Sequence, residues 1–225
     1  HGLKPVSAEL TDIAVLQYTG GTTGVAKGAM LTHGNLVANM QQVHACLSQQ
    51  GADGLPLMKE GQEIMIAPLP LYHIYAFTAN CMCMMVNGNH NILITNPRDI
   101  SGFIKELKKW QFSALLGLNT LFVALMDHPE FKSVDFSHLK ITNSGGTALV
   151  KATAERWQAI TGCSVVEGYG LTETSPVAST NPYGDKVRLG TVGIPVPSTA
   201  FKVIDDAGVE QPLGERGELC IQGPQ

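Results

Sequence analysis

The sequence predicts an α/β fold: αβα layers with a largely parallel sheet, followed by the start of a small β-rich subdomain. Two observations carry this. From Ile13 to Glu167, short apolar runs alternate with stretches of helical apolar spacing. After Pro176 that alternation stops, and Pro, Gly and short β-branched runs take over. Composition agrees. A chain of 225 residues that is 44% hydrophobic and 15% charged can build a sizeable core and is not disordered.

The elements follow in order. Ile13–Tyr18 is a short apolar run, expected to be a buried strand that ends in a Gly/Thr loop. A helix is predicted after Thr32, with Leu36, Met40, Val43 and Leu47 on its apolar face. Glu63–Ala67 reads as a strand stopped by Pro68 and Pro70, and Tyr75–Val86 as a helical apolar stretch. Asn91–Thr95 is a strand. Asp99 caps a helix that runs to Trp110. Phe112–Leu116 is a strand, Thr120–Met126 a helix, and Leu139–Asn143 a strand. The helix near Leu149–Ile160 carries Trp157 inward, and Ser164–Glu167 closes the series. Beyond it, Ala200–Ile204 and Gly217–Gln222 read as antiparallel strands, with a turn at Asp205–Gly208. The predicted division is 1–182 for the α/β part and 183–225 for the start of the β-rich part.

Charge and cysteines exclude several functions. With 15 Lys and Arg against 19 Asp and Glu, the net charge of −4 lacks the basic footprint of a nucleic-acid binder. The apolar stretch Ala76–Val86 is shorter than the roughly 20 residues a membrane span needs. The five cysteines (Cys46, Cys81, Cys83, Cys163 and Cys220) sit in apolar or small-residue stretches, so reduced, buried thiols in a cytoplasmic protein are expected. Cys81-Met-Cys83 has no second ligand pair and is not a zinc knuckle.

Four unusual loops each follow a predicted strand: Thr19–Gly28, Pro68–His73, Asn143–Thr147 and Gly168–Thr174. In parallel sheets, ligands gather at the carboxyl ends of strands, so the four are expected to meet at one crevice. The first reads Tyr18-Thr-Gly-Gly-Thr-Thr-Gly-Val-Ala-Lys-Gly28. Its glycines let backbone N–H groups approach an anion, and its hydroxyls and Lys27 add phosphate donors. It is not a Walker loop, because Val25 and Ala26 separate Gly24 from Lys27. The last reads Glu167-Gly-Tyr-Gly-Leu-Thr-Glu-Thr-Ser175. Tyr169 between glycines suits stacking on a base, and Glu173 offers a hard oxygen for Mg²⁺. Taken alone, that motif reads as well as a core tyrosine, a capping threonine and a surface carboxylate.

Together these motifs resemble the signature loops of the adenylate-forming superfamily: acyl-CoA synthetases, luciferases and peptide-synthetase adenylation domains. Pro68-Leu-Pro-Leu-Tyr-His73, Gly190-Thr-Val-Gly-Ile-Pro-Val-Pro197 and Gly214-Glu-Arg-Gly-Glu-Leu-Cys220 resemble further segments of that family. Within it, Leu16–Lys27, Leu93–Asp99 and Glu167–Glu173 are worded most like bacterial long-chain fatty acid–CoA ligases. Ala26 replaces the commoner proline before the lysine, as this subgroup also does.

The resemblance implies ATP and Mg²⁺ as cofactors, CoA as co-substrate, and a fatty acid activated through an acyl-AMP. Thr19, Gly20, Gly21, Thr22, Thr23, Gly24 and Lys27 are then expected around the β- and γ-phosphates. Thr22 and Glu173 are expected to share the metal. Tyr169 is expected to stack on adenine with Gly145, Gly146 and Thr147 along its other side, Thr172 to contact the α-phosphate, and Tyr18, Gly168 and Gly170 to belong to the nucleotide site. His73 is expected beside the carboxylate, although a lone His in an apolar segment also reads as a core residue. Lys27, His73, Thr172 and Glu173 form the implied catalytic set. Tyr72, His73 and Phe77 are expected along an acyl tunnel between the Tyr75–Val86 helix and the sheet, with Ala79, Met82, Met84 and Met85 as soft lining. Related long-chain enzymes place a gating tryptophan four residues after the histidine. Phe77 stands there instead.

By the family's pattern, an N-terminal portion precedes His1. The ribose-binding aspartate, the hinge and a C-terminal lid domain follow Gln225, so this chain is expected to be inactive alone. The resemblance leaves open a homodimer and a peripheral contact with the inner face of the cytoplasmic membrane. It also leaves open another acid (medium-chain or aryl) and a non-catalytic nucleotide- or acyl-binding segment.

Overall fold

The computed structural model describes the chain apart from residues 1, 3, 5, 20–26 and 50–55 and the side chains of Thr19 and Asp185. Strand β1 (Ile13–Thr19) turns back antiparallel into β2 (Lys27–Thr32). This corrects the expected buried strand. β1 and β2 form a separate two-stranded antiparallel sheet, so one face of the apolar run stays open, with Leu16 and Tyr18 56% and 64% exposed. Helix α1 (His33–Leu47) follows, capped by Thr32. The Thr32 hydroxyl accepts from the Asn35 amide at 3.1 Å, and the Asn35 side chain accepts from Thr32 N–H at 3.0 Å. Its buried positions are Leu36, Asn39, Gln42 and Cys46, so the inward face is partly polar rather than the expected apolar stripe.

Next come β3 (Ile64–Ala67) and α2 (Ile74–Ala76), which His73 caps by accepting from Tyr75 N–H through Nδ1. The helix continues over Phe77–Met84 as a π-helix, a wider form often found beside functional sites. Then follow β4 (His90–Leu93), α3 (Ile100–Leu107), β5 (Ala114–Gly117) and α4 (Asn119–Asp127). Asp99 caps α3 as expected, accepting from Gly102 N–H at 2.9 Å. β6 (Ile141–Ser144), α5 (Lys151–Thr161), β7 (Val165–Gly170), β8 (Val177–Thr180) and β9 (Ile194–Pro195) come next, and β10 (Ala200–Ile204) pairs antiparallel with β11 (Glu218–Gln222).

Among the described residues, the main sheet has seven strands in the order β4-β3-β5-β6-β7-β8-β9. The first five are parallel. The series does not close at Glu167: β8 and β9 extend the same sheet antiparallel. Alternate side chains feed two cores, one on each face. Ile66, Leu115 and Val165 pack beneath α3, α4 and α5, around a fully buried Trp157 whose indole N–H donates to the Thr142 hydroxyl at 3.1 Å. Met65, Ala114, Leu116 and Ile141 pack on the other face against Met84 and Ala79 of the π-helix and Leu47 of α1. These two helix layers on one largely parallel sheet are the expected αβα arrangement. Cys46, Cys83 and Cys163 are buried free thiols, while Cys81 and Cys220 are only half-buried, which corrects the expectation for those two.

Candidate active site

The chain runs from β3 outward to β4 and then crosses to β5 on the other side of β3, so the connection direction switches there. Loops at such a switch part and leave a crevice at the carboxyl ends of the strands. A cavity of about 380 Å³ lies at that end. His73 and Tyr75 after β3, Asn143–Gly146 at the end of β6, and Gly168–Glu173 at the end of β7 form its walls. Three of the four expected loops therefore meet around one space.

Backbone is brought close by the glycines. A Cβ on Gly145 would sit 2.9 Å from the Tyr75 ring, and one on Gly170 would sit 2.0 Å from the Pro176 carbonyl oxygen. Only glycine fits either place. Thr174 shapes the turn that presents Thr172 and Glu173. Its buried hydroxyl accepts from Leu171 N–H at 2.9 Å and donates to the Pro176 carbonyl at 2.5 Å. Glu173 is exposed at the cavity rim. Tyr169 is half-buried in the wall. The Glu167 carboxylate accepts from Leu149 N–H at 3.0 Å and Gly190 N–H at 3.3 Å, which ties the loop after β6 to the segment before β9.

For the first loop, Gly20, Gly21, Thr22, Thr23 and Gly24 lie outside the described residues, as does the Thr19 side chain. The hairpin that carries this loop is anchored to the site on both sides. Gln17 donates its side-chain N–H to the Tyr72 carbonyl at 3.0 Å. Strand β2, which Lys27 opens, packs beside the Thr172–Thr174 turn. The Tyr18 ring covers Gly28.

A second, inner cavity of about 70 Å³ lies between the sheet, α1 and the π-helix. Ala79, Cys83 and Met84 line it from the helix, and Met65, Leu116 and Ile141 from the sheet. Tyr75, Asn143, Pro176, Val177 and Thr180 line both cavities, so the two share a wall. Burial pushes the Cys83 thiol and the Tyr183 phenol up to about 12, with the Asn143 hydrogen bond opposing in the tyrosine, and it raises Tyr75 as well. These groups stay neutral at physiological pH, and the inner cavity carries no charge from them.

Placement of the expected acyl residues is mixed. His73 reaches the larger cavity, and Ala79 and Met84 reach the inner one. Tyr72 is 82% exposed, Phe77 packs against the Leu31, Leu36 and Ile74 cluster, and neither lines either cavity. Met85 is 70% exposed, which corrects its place in the lining. Thr147 is exposed on the loop after β6 and stays outside both walls. Sequence reasoning placed Asn143 and Ser144 in an expected site loop and Tyr75 in the expected tunnel helix without giving them roles, and it missed Thr180. Their position just after or at the end of a strand was the available signal.

A sequence model of the AMP-binding enzyme family matches residues 2–225. The chain belongs to the AMP-binding enzyme family. It is 51% identical to a long-chain-fatty-acid–CoA ligase of Escherichia coli over 227 residues, which cover 100% of this chain and 39% of that protein. It is equally identical to one of Salmonella typhimurium over 214 residues, 95% of this chain and 37% of the relative. Among solved structures, apo MatB from Rhodopseudomonas palustris superposes with a TM-score of 0.84 at 27% identity, covering 99% of this chain and 42% of that one. A benzoate CoA ligase from Burkholderia xenovorans superposes with a TM-score of 0.81 at 27% identity, covering 98% and 42%. The chain thus spans about two fifths of the length of the relatives it matches. Among the described residues, no helix is long and apolar enough to cross a membrane, and no cluster of three or more His, Cys, Asp or Glu side chains is set to hold a metal.

Proposed function

We propose that this chain supplies the nucleotide site and part of the acyl site of an ATP-dependent long-chain fatty acid–CoA ligase. The observation that carries the reading is the meeting of His73, Gly145, Gly146, Tyr169, Thr172 and Glu173 around one cavity that shares a wall with an apolar one. The fatty acid carboxylate attacks the α-phosphorus of ATP, pyrophosphate leaves, and an acyl-AMP forms. The thiol of CoA then displaces AMP. The acid is already ionised, so the first step needs no base, and its catalysis is positioning and charge neutralisation.

In this reading Tyr169 stacks on adenine with Gly145 and Gly146 beside it, and Thr172 donates to the α-phosphate. His73 orients the carboxylate, and the Thr19–Lys27 loop wraps the outer phosphates. Glu173 suits Mg²⁺, since its exposed carboxylate is a hard oxygen donor and this ion is commonly held by one or two carboxylates plus substrate phosphates. Thr22 is the second proposed ligand. The metal would supply charge neutralisation at the phosphates. The reading divides the chain at 182/183, and it extends to a cytoplasmic protein in peripheral contact with the bilayer that delivers its detergent-like substrate.

A second reading has one observation behind it. The inner cavity of about 70 Å³ has room for only a few methylene groups, so its size does not itself select a long-chain acid over the medium-chain or aryl alternative. Both readings require Glu173. In the natural polypeptide that carries this segment, Glu173→Ala is expected to abolish acid-dependent ATP–pyrophosphate exchange while the melting temperature stays put, because the residue is exposed. Exchange at the unmutated rate would remove Glu173 from the mechanism.

A further inference from the structure

A buried hydrogen bond that the proposed chemistry does not use joins the walls of the two cavities. Thr78 is the second residue of the π-helix and lines the inner, apolar cavity. A threonine inside a helix often turns its hydroxyl back on a carbonyl of the preceding turn. The Thr78 hydroxyl donates outward, to the Ser175 carbonyl at 3.0 Å. Thr78 and Ser175 are 1% and 0% exposed, so water does not compete for the bond. Ser175 ends the Thr172–Thr174 turn, which brings Thr172 and Glu173 to the nucleotide cavity. Its N–H donates to the Thr172 carbonyl at 3.3 Å. Its φ is 64°, in the left-handed region, where a residue with a Cβ stays only if its surroundings hold it. The Thr78 hydroxyl is one of the contacts that hold it, and a buried carbonyl that loses its donor is costly.

We propose that Thr78 is a positioning residue, through which an acyl chain in the inner cavity prepares the turn that receives ATP. This rests on the reading of the site as an acid-activating one, and it adds that the acid's chain raises the affinity for the nucleotide. A chain packed against the π-helix steadies Thr78. Thr78 steadies Ser175, and Ser175 sets the turn that carries Thr172 and Glu173. ATP then meets a turn that is already ordered, and less of its binding free energy goes into ordering it. Such coupling is reciprocal in binding, so ATP raises the affinity for the chain by the same factor. An acid too short to reach the inner cavity has the same carboxylate but lacks the effect.

The test is calorimetric titration of the natural polypeptide that carries this segment with α,β-methylene-ATP and Mg²⁺. This analogue cannot release pyrophosphate, so binding is read without reaction. The quantity read is the ratio of its Kd without acid to its Kd with saturating dodecanoate, and the same ratio with propionate. In the unmutated protein dodecanoate is expected to tighten the nucleotide by roughly fivefold or more, and propionate to leave it unchanged. Thr78→Val keeps the shape and removes the hydroxyl, and it should bring the dodecanoate ratio close to one. Thr78→Ser keeps the hydroxyl and should preserve the ratio. A merely structural role would move the melting temperature and the Kd without acid while leaving the ratio alone. A ratio near one in the unmutated protein, or one that Thr78→Val leaves unchanged, overturns the inference while ATP–pyrophosphate exchange still reports an active ligase. If the valine variant does not fold, the serine variant decides: a ratio lost there, with the hydroxyl present, also overturns it. No exchange with any acid overturns the ligase reading and this inference together.

Discussion

Glu63 is a carboxylate that is 2% exposed, and its surroundings fix what it contributes. Burial raises its proton affinity, but Lys140 at 2.7 Å, the Ser113 hydroxyl and the Lys59 N–H outweigh that and hold it below the usual carboxylate range. A folded-state value below the unfolded one stabilises the protein above the unfolded value near 4.5, and that stabilisation fades as pH falls through the folded value. Lys140→Met leaves the carboxylate without its cation. The expected cost at neutral pH is roughly 2 kcal/mol, below the figure for a fully buried pair because Lys140 is 37% exposed. Urea unfolding across pH should show the gap between variant and parent shrinking as pH falls, because Glu63 without Lys140 takes up its proton before Glu63 of the parent does. A gap independent of pH would show that charge is not its origin. At this scale the sequence was legible where a residue acts on its own neighbourhood, as with the Asp99 cap. It placed Asn143 in a site loop but gave no sign that its amide donates to Tyr183 forty residues later.

Helix α1 makes the same point at the scale of elements. Its inward face carries Asn39 and Gln42, both buried. Asn39 acts as a strand partner would, donating to the Val177 carbonyl at 2.8 Å and accepting from the Val177 N–H at 3.1 Å. Gln42 donates to the Pro197 carbonyl at 2.8 Å and the Thr199 hydroxyl at 3.2 Å. The helix that follows the hairpin is thereby fastened to Val177, which lines both cavities. Asn39→Leu should keep the helix but strip Val177 of both partners, at a cost of about 2–3 kcal/mol read from urea midpoints. A cost under about 0.5 kcal/mol, the range of an ordinary surface change, would deny the fastening. Hydrophobic periodicity placed the apolar face at Met40 and Val43 because it weighs side chains by polarity. It has no means of seeing that an amide is satisfied by backbone 138 residues away. The hairpin escaped for a related reason: an apolar run reads the same whether its neighbour is a parallel strand or its own return.

For the whole molecule, the layer order was legible because strand and helix periodicities alternate, and each crossover needs a helix to cover the sheet. The antiparallel margin was not, since β8 and β9 are only four and two residues long and carry too little pattern to read. The meeting of loops at the carboxyl ends of β3, β6 and β7 follows from the layer order, which is why the convergence of three of the four loops was legible in the sequence. Chain-length preference was not, because in the proposed reading it depends on the volume between the π-helix and the sheet, which no sequence pattern encodes. Acid-dependent ATP–pyrophosphate exchange by the natural polypeptide that carries this segment, across long-chain, medium-chain, aryl and amino acids, tests the central claim most directly. The account predicts exchange with long-chain acids and none with aryl or amino acids. A folded protein that binds ATP yet exchanges with no acid would contradict adenylation itself, and exchange confined to short or aryl acids would contradict the long-chain substrate.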